Sequence, residues 1–178
     1  MKPTTPLLKV DNLSIELPAG FDRKYAVENL SYTLEAGEIL CVVGESGSGK
    51  SMTANAIMGL LPSYLKPSSG RVLLQGRDLL AMSEPELARE RGRTVSMIFQ
   101  EPLSALNPLM TVGEQIAEVM LVHGEGDAGR REQRVLELLE YVGLPDPASL
   151  RHSYPFRLSG GQRQRVMIAM ALANEPET

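Results

Sequence analysis

The chain has 178 residues, enough for one domain with a buried core and marginal for two. A hydrophobic fraction of 43% and a charged fraction of 22% exclude a disordered or fibrous chain. The net charge of -4 argues against a basic footprint for nucleic acid.

In chain order, Leu8, Val10, Leu13, Ile15 and Leu17 alternate imperfectly with polar residues, and residues 25–34 do much the same. Both runs predict strands of a half-exposed antiparallel sheet, joined through the turn chemistry of Pro18, Ala19, Gly20 and Asp22. Residues 39–43 are apolar without alternation, which predicts a central strand buried on both faces. The single Cys41 lies within that run; it excludes an internal disulfide or a cysteine zinc cluster and is expected to be buried. Residues 51–61 have helix-forming composition, closed by Pro62, Pro67 and Gly70. A short strand is expected at 71–75, a helix capped by Ser83 ahead of 87–91, and a second buried strand at 94–99. From Gln100 the character changes to helices at 111–122 and 130–142, separated by the Gly-rich turn 123–129. Pro145 and Pro147 interrupt this lobe, and a last helix runs over 159–173. No apolar run approaches the roughly 18 to 20 residues that span a bilayer, and no signal-peptide core opens the chain, so the expectation is a cytoplasmic protein that meets a membrane only through partners.

Between the apolar run and the first predicted helix stands Gly44-Glu45-Ser46-Gly47-Ser48-Gly49-Lys50-Ser51, which fits the phosphate-binding pattern G-x-x-x-x-G-K-[ST] in the strand–loop–helix context that pattern requires. A loop wrapping phosphates brings backbone N–H groups close to the ligand, and glycine leaves room for that approach. The helix N-terminus adds free N–H groups and a partial positive charge. Lys50 is placed to reach the outer phosphates and the Ser51 hydroxyl to ligate Mg²⁺, with Met52 completing the binding set. The expected ligand is MgATP.

A second bare helix start follows at Leu158-Ser159-Gly160-Gly161-Gln162, with Ser159 as its cap. The two motifs in this order resemble the ATPases of ABC transporters. That resemblance implies a P-loop NTPase core of α/β class with an antiparallel β subdomain and an α-helical lobe, incomplete at the C-terminus. It divides a single nucleotide-binding domain into 1–99, 100–158 and the signature helix 159–173. It makes Gln100, before Glu101 and Pro102, the glutamine that contacts Mg²⁺ and the attacking water, and Tyr25 the aromatic stacked on adenine, with Tyr32 as rival. It further implies a head-to-tail pair of such domains, homo- or heterodimeric, in which Ser159, Gly160, Gly161 and Gln162 act on the ATP held by the partner's P-loop.

The run from Phe99 to Ile116, with Gly161 to Leu172, resembles the ATPases of peptide, opine and nickel importers. The implied partners are transmembrane permease subunits on the cytoplasmic face of the membrane, touched through residues 103–110, and indirectly a periplasmic or surface substrate-binding protein. Tyr154-Pro155-Phe156-Arg157 departs from the usual Tyr-Pro-His-Glu or Tyr-Pro-His-Gln run. The resemblance requires an Mg²⁺-binding Asp and a catalytic Glu soon after the signature helix, and neither Glu175 nor Glu177 is assigned that role. A fragment with slow or no turnover is therefore expected. A nucleotide-binding module without catalysis and a P-loop kinase are the alternatives; the kinase leaves Gln100 and 158–162 unexplained.

Overall fold

The computed structural model describes residues 5–101 and 105–178. They form two compact units, divided between Ala88 and Arg89, each with its own buried core.

In the first unit β1 (Leu8–Glu16) pairs antiparallel with β2 (Tyr25–Leu34) on one edge and β3 (Pro67–Leu74) on the other. The two-residue β4 (Arg77–Asp78) closes the sheet in the order β2-β1-β3-β4. The imperfect alternation of β1 has a cause in the ladder. Val10 faces Tyr32 and Leu13 faces Leu30, so β1 carries one residue more than its partner across that step. Asn12 absorbs the bulge at φ 52°, a left-handed conformation that Asn tolerates, and this returns Leu13 and Ile15 to the buried side with Val10. Gly70 in β3 lies directly behind it: a Cβ there would sit 2.4 Å from the Asn12 carbonyl oxygen, so only glycine permits the approach.

Helix α1 (Lys50–Ile57) buries Thr53 and Ala56. It stops four residues short of the expected end. Gly59 turns left-handed at φ 63°, its N–H donates to the Ala56 carbonyl and that of Leu60 to the Asn55 carbonyl, which is a glycine-terminated helix end. Helix α2 (Glu84–Glu90) begins where Ser83 predicts: the Glu86 carboxylate accepts from both the Ser83 N–H and its hydroxyl.

The buried central strand expected at 39–43 is not formed. Ile39 is 90% exposed and Val43 89% exposed, and Cys41 is exposed rather than packed. A strand exists through its neighbour's backbone, and none of the described strands pairs with this segment.

In the second unit the strand expected at 94–99 is also unformed: Thr94 and Val95 are buried, whereas Ile98 and Phe99 are about half-exposed. The Thr178 N–H donates to the Thr94 carbonyl at 3.1 Å and the Ser96 N–H to the Thr178 carbonyl at 2.8 Å. This is the hydrogen-bond pattern of a parallel pair reduced to a single residue. Three helices follow expectation closely, α3 (Val112–Val122), α4 (Ala128–Tyr141) and α6 (Gly160–Ala171), whereas a short α5 (Pro147–Leu150) starts on Pro147 where only a break is expected. Thr111 and Glu114 form a reciprocal capping box at the start of α3, and Asp127 caps α4. Val112, Ile116 and Met120 of α3 meet Val135, Leu138 and Leu139 of α4 and Val166, Met167 and Ala169 of α6 in one apolar core. The spacing of three and four residues on each helix is what places these side chains on a single face.

Candidate functional site

The loop 44–49 leads into α1 with no side-chain cap and no acidic residue in the first turn, so the first N–H groups of the helix are left for a ligand. The Lys50 ammonium is folded back onto the loop, donating to the Gly44 carbonyl at 2.8 Å, the Glu45 carbonyl at 2.7 Å and the Ser48 hydroxyl at 3.1 Å. Three oxygens thus surround the cation as phosphate oxygens would. Glu45, Ser46, Gly47 and Ser48 are exposed, and among the described residues no partner holds the exposed Ser51 hydroxyl. A hard oxygen donor beside a phosphate site suits Mg²⁺, which binds through few protein ligands plus phosphates. The glycines differ in what they do. Gly47 and Gly49 are left-handed at φ 80° and 91°, and a Cβ at Gly49 would come within 2.4 Å of the Ala26 carbonyl oxygen of β2. Gly49 therefore serves the seating of the loop on the sheet as well as access of a ligand.

Beside the loop opens a cleft of about 310 Å³, walled on one side by Gly47 to Met52 and on the other by Leu17, Phe21, Arg23 and Ala26. Tyr25 is not among its lining residues. It opens β2 opposite Glu16, with the Lys24 ammonium 5.0 Å from its ring centroid. A hydrogen bond with the Tyr25 hydroxyl, then the charge of its ionised phenol and that of Glu16, hold the Lys24 pKa above its ordinary value. Tyr32 lies deeper in β2 opposite Val10, where burial raises its phenol. The aromatic residue that faces the cleft is Phe21, 56% exposed, which sequence reasoning passed over as part of a polar turn. An aromatic side chain within otherwise turn-forming residues was the available signal.

In the second unit Gln100 is exposed just after the half-exposed Phe99. Ser159 caps α6 through its hydroxyl, which accepts from the Gln162 N–H at 3.3 Å, while the Gln162 side chain accepts from the Ser159 N–H at 2.9 Å. Gly160 and Gly161 are exposed, and no atom lies within 4 Å of a Cβ built at either. The helix start is thus open on its glycine face. Arg163 and Arg165 are turned away from it, to the Pro155 carbonyl and to the carbonyls of Val142 and Gly143. In the departing segment, Tyr154 and Phe156 stack with ring centroids 5.6 Å apart. Of the segment 103–110, residues 103 and 104 lie outside the described residues; Leu109 is 84% exposed. Gln115, buried in α3 and not singled out from the sequence, holds this loop. Its amide accepts from the Asn107 N–H at 2.9 Å and donates to the Asn107 and Met110 carbonyls at 3.0 Å each. Among the described residues no helix is long and apolar enough to cross a membrane.

Residues 27–178, from β2 through the phosphate-binding loop to beyond α6, match the ABC transporter family. The chain belongs to that family. Among curated relatives, the peptidoglycan transport ATP-binding protein YejF of Agrobacterium fabrum is 49% identical over 98% of this chain and 32% of its own length. The dipeptide transport ATP-binding protein DppD of Escherichia coli is 46% identical over 96% of this chain and 52% of its own length. The chain thus spans about a third to a half of these ABC relatives. Among solved structures, the ATP-binding cassette MJ0796, described as a dimer in a post-hydrolysis state bound to ADP and Pi, superposes with a TM-score of 0.83 at 32% identity. That match covers 95% of this chain and 70% of the other. The fold expected from the motif pair, a P-loop α/β domain with an antiparallel sheet and a helical lobe, is the fold of these ABC ATPases.

Proposed function

We propose that this chain is the ATP-binding, energy-coupling part of an ABC importer for peptides or related small solutes. The observation that carries the proposal is the loop 44–51. It offers an uncapped helix N-terminus and a lysine ammonium enclosed by three oxygens, which is a site made for a polyphosphate. Peptide-type import is supported by the relatives' names, dipeptide and oligopeptide transport ATP-binding proteins at 44 to 46% identity.

In this reading Gly44 to Met52 bind the triphosphate, Lys50 leaves its loop oxygens for the outer phosphates, and Ser51 and Gln100 ligate Mg²⁺. The metal, when bound, neutralises charge on the transferring phosphate. Ser159, Gly160, Gly161 and Gln162 face the nucleotide of a second ABC domain. Permease subunits meet the segment around Leu109 at the cytoplasmic face of the membrane. Hydrolysis, proposed for the whole protein, needs a general base. Glu175 does not fill that role: it stands in a left-handed turn at φ 52° and pairs with Arg134 at 2.9 Å.

Calorimetric titration of MgATP into the wild-type chain and Lys50→Ala tests the core of the proposal. The substitution should weaken binding by about a hundredfold or more, since it removes a charge-assisted contact to each outer phosphate. Equal affinities would sink the assignment.

A further inference from the structure

We infer that Arg23 is a positioning residue for the phosphate-binding loop, an inference that rests on the reading of residues 44–51 as a nucleotide site. The turn between β1 and β2 brings Arg23 beside the loop, where its Nη2 donates to the Gly47 carbonyl at 2.7 Å. Gly47 is where the loop has least preference of its own, since it has no side chain and sits at φ 80°. Because the peptide between Gly47 and Ser48 is planar and trans, aiming that carbonyl at Arg23 fixes the Ser48 N–H in the opposite direction. That N–H is directed to the Glu45 carbonyl at 3.2 Å, which curls the loop on itself.

The loop has a second attachment two residues on. Gly49 is seated against the Ala26 carbonyl so closely that no side chain fits. Arg23 and Ala26 belong to one junction, the end of the turn and the start of β2. The loop is therefore tied on both sides of Ser48 to the same edge of the sheet. A glycine-rich loop left free would lose backbone entropy each time it ordered around a phosphate. Arg23 removes part of that cost in advance through its hydrogen bond to the Gly47 carbonyl.

The test compares the 178-residue wild type with Arg23→Ala, Arg23→Lys and Lys50→Ala, titrated separately with MgATP and with magnesium tripolyphosphate. Arg23→Ala should weaken both ligands by about tenfold, the worth of one hydrogen bond from a charged donor. Arg23→Lys, whose ammonium can still donate to the Gly47 carbonyl, should recover most of that loss. In the ligand-free chain, hydrogen exchange of amides 45–49 should be faster in Arg23→Ala at an unchanged melting temperature. Wild-type affinity for both ligands in Arg23→Ala would overturn the inference. So would a loss confined to MgATP, because Arg23 would then contact the nucleoside. Wild-type affinity in Lys50→Ala would instead overturn the nucleotide-site reading beneath it.

Discussion

Replacing Gly49 with alanine tests how the sheet and the loop depend on each other. At φ 91° an alanine is held in the left-handed region, which costs about 1–2 kcal/mol. Its Cβ would stand 2.4 Å from the Ala26 carbonyl oxygen and 3.0 Å from the Val27 Cγ2, against an ordinary contact of at least 3.4 Å. The carbonyl belongs to β2 and is backbone, so the loop must retreat by about 1 Å, the difference between those two distances. Hydrogen bonds to a bound anion tolerate only about 2.7–3.2 Å between donor and acceptor, so a shift of that size breaks the nearest of them. Two charge-assisted bonds lost at about 1.5 kcal/mol each lower the affinity by about a hundredfold. Stability should fall by about 2–4 kcal/mol from the two strains together. Urea midpoints and MgATP titrations measure both effects. Gly160→Ala is the companion variant: it has no positive φ and no atom within 4 Å of its Cβ, so the isolated chain should tolerate it without loss of stability. Wild-type MgATP affinity in Gly49→Ala would refute the coupling between the loop and β2.

Three further outcomes follow from the same geometry. Phe21→Ala should weaken MgATP by about threefold to tenfold and leave tripolyphosphate unchanged, with Tyr25→Ala near neutral, since Phe21 faces the cleft and Tyr25 does not; the reverse ranking in calorimetry would restore Tyr25. Gln115→Ala strips partners from the Asn107 N–H and from the Asn107 and Met110 carbonyls and should cost about 1–2 kcal/mol by urea denaturation, with faster proteolysis near Leu109; an unchanged midpoint would contradict it. Glu114 accepts from the Thr111 N–H and hydroxyl, which hold its pKa below the ordinary 4.5. Its contribution is therefore present above that value and is lost as pH falls through the depressed folded pKa. The melting-temperature gap between wild type and Glu114→Ala should close on that descent, and a gap that persists in acid would contradict it.

What the sequence made legible was local chemistry. The cap at Ser159, the turn after Leu17 and the motif 44–51 all rest on residues close together in the sequence, and the structure forms a capped helix start, a turn and a loop leading into a helix there. What the sequence leaves open is which neighbour an apolar run pairs with. Residues 39–43 have the composition of a buried strand, but composition carries hydrophobicity and not the identity of a pairing neighbour, and here they stand unpaired and exposed. The end of helix α1 is not legible, because a glycine within a helical pattern is ambiguous until the left-handed conformation of Gly59 is seen. Arg23 meets the loop, and Phe21 the cleft beside it, only because the β1–β2 connection folds back by a length that residue types do not encode. Tyr25 is expected at the base through the family resemblance, and its neighbour Ala26 is the residue that reaches Gly49.

The two glycine-flanked helix starts are not equivalent, and the difference bears on how a nucleotide is held. The N-terminus of α1 has no side-chain cap and carries its own cation, so it can bind a polyphosphate unaided. At α6 one N–H is already satisfied by Ser159, and the helix's own arginines, Arg163 and Arg165, are committed to carbonyls behind it. What remains there is a helix dipole of about half a charge, a hydroxyl and an open glycine face. Half a positive charge cannot neutralise a triphosphate, but it can add to the coordination of one whose charge Lys50 and Mg²⁺ largely offset. This is the complement that the proposed head-to-tail pair requires, in which the start of α6 meets a nucleotide held by a second copy of the 44–51 loop.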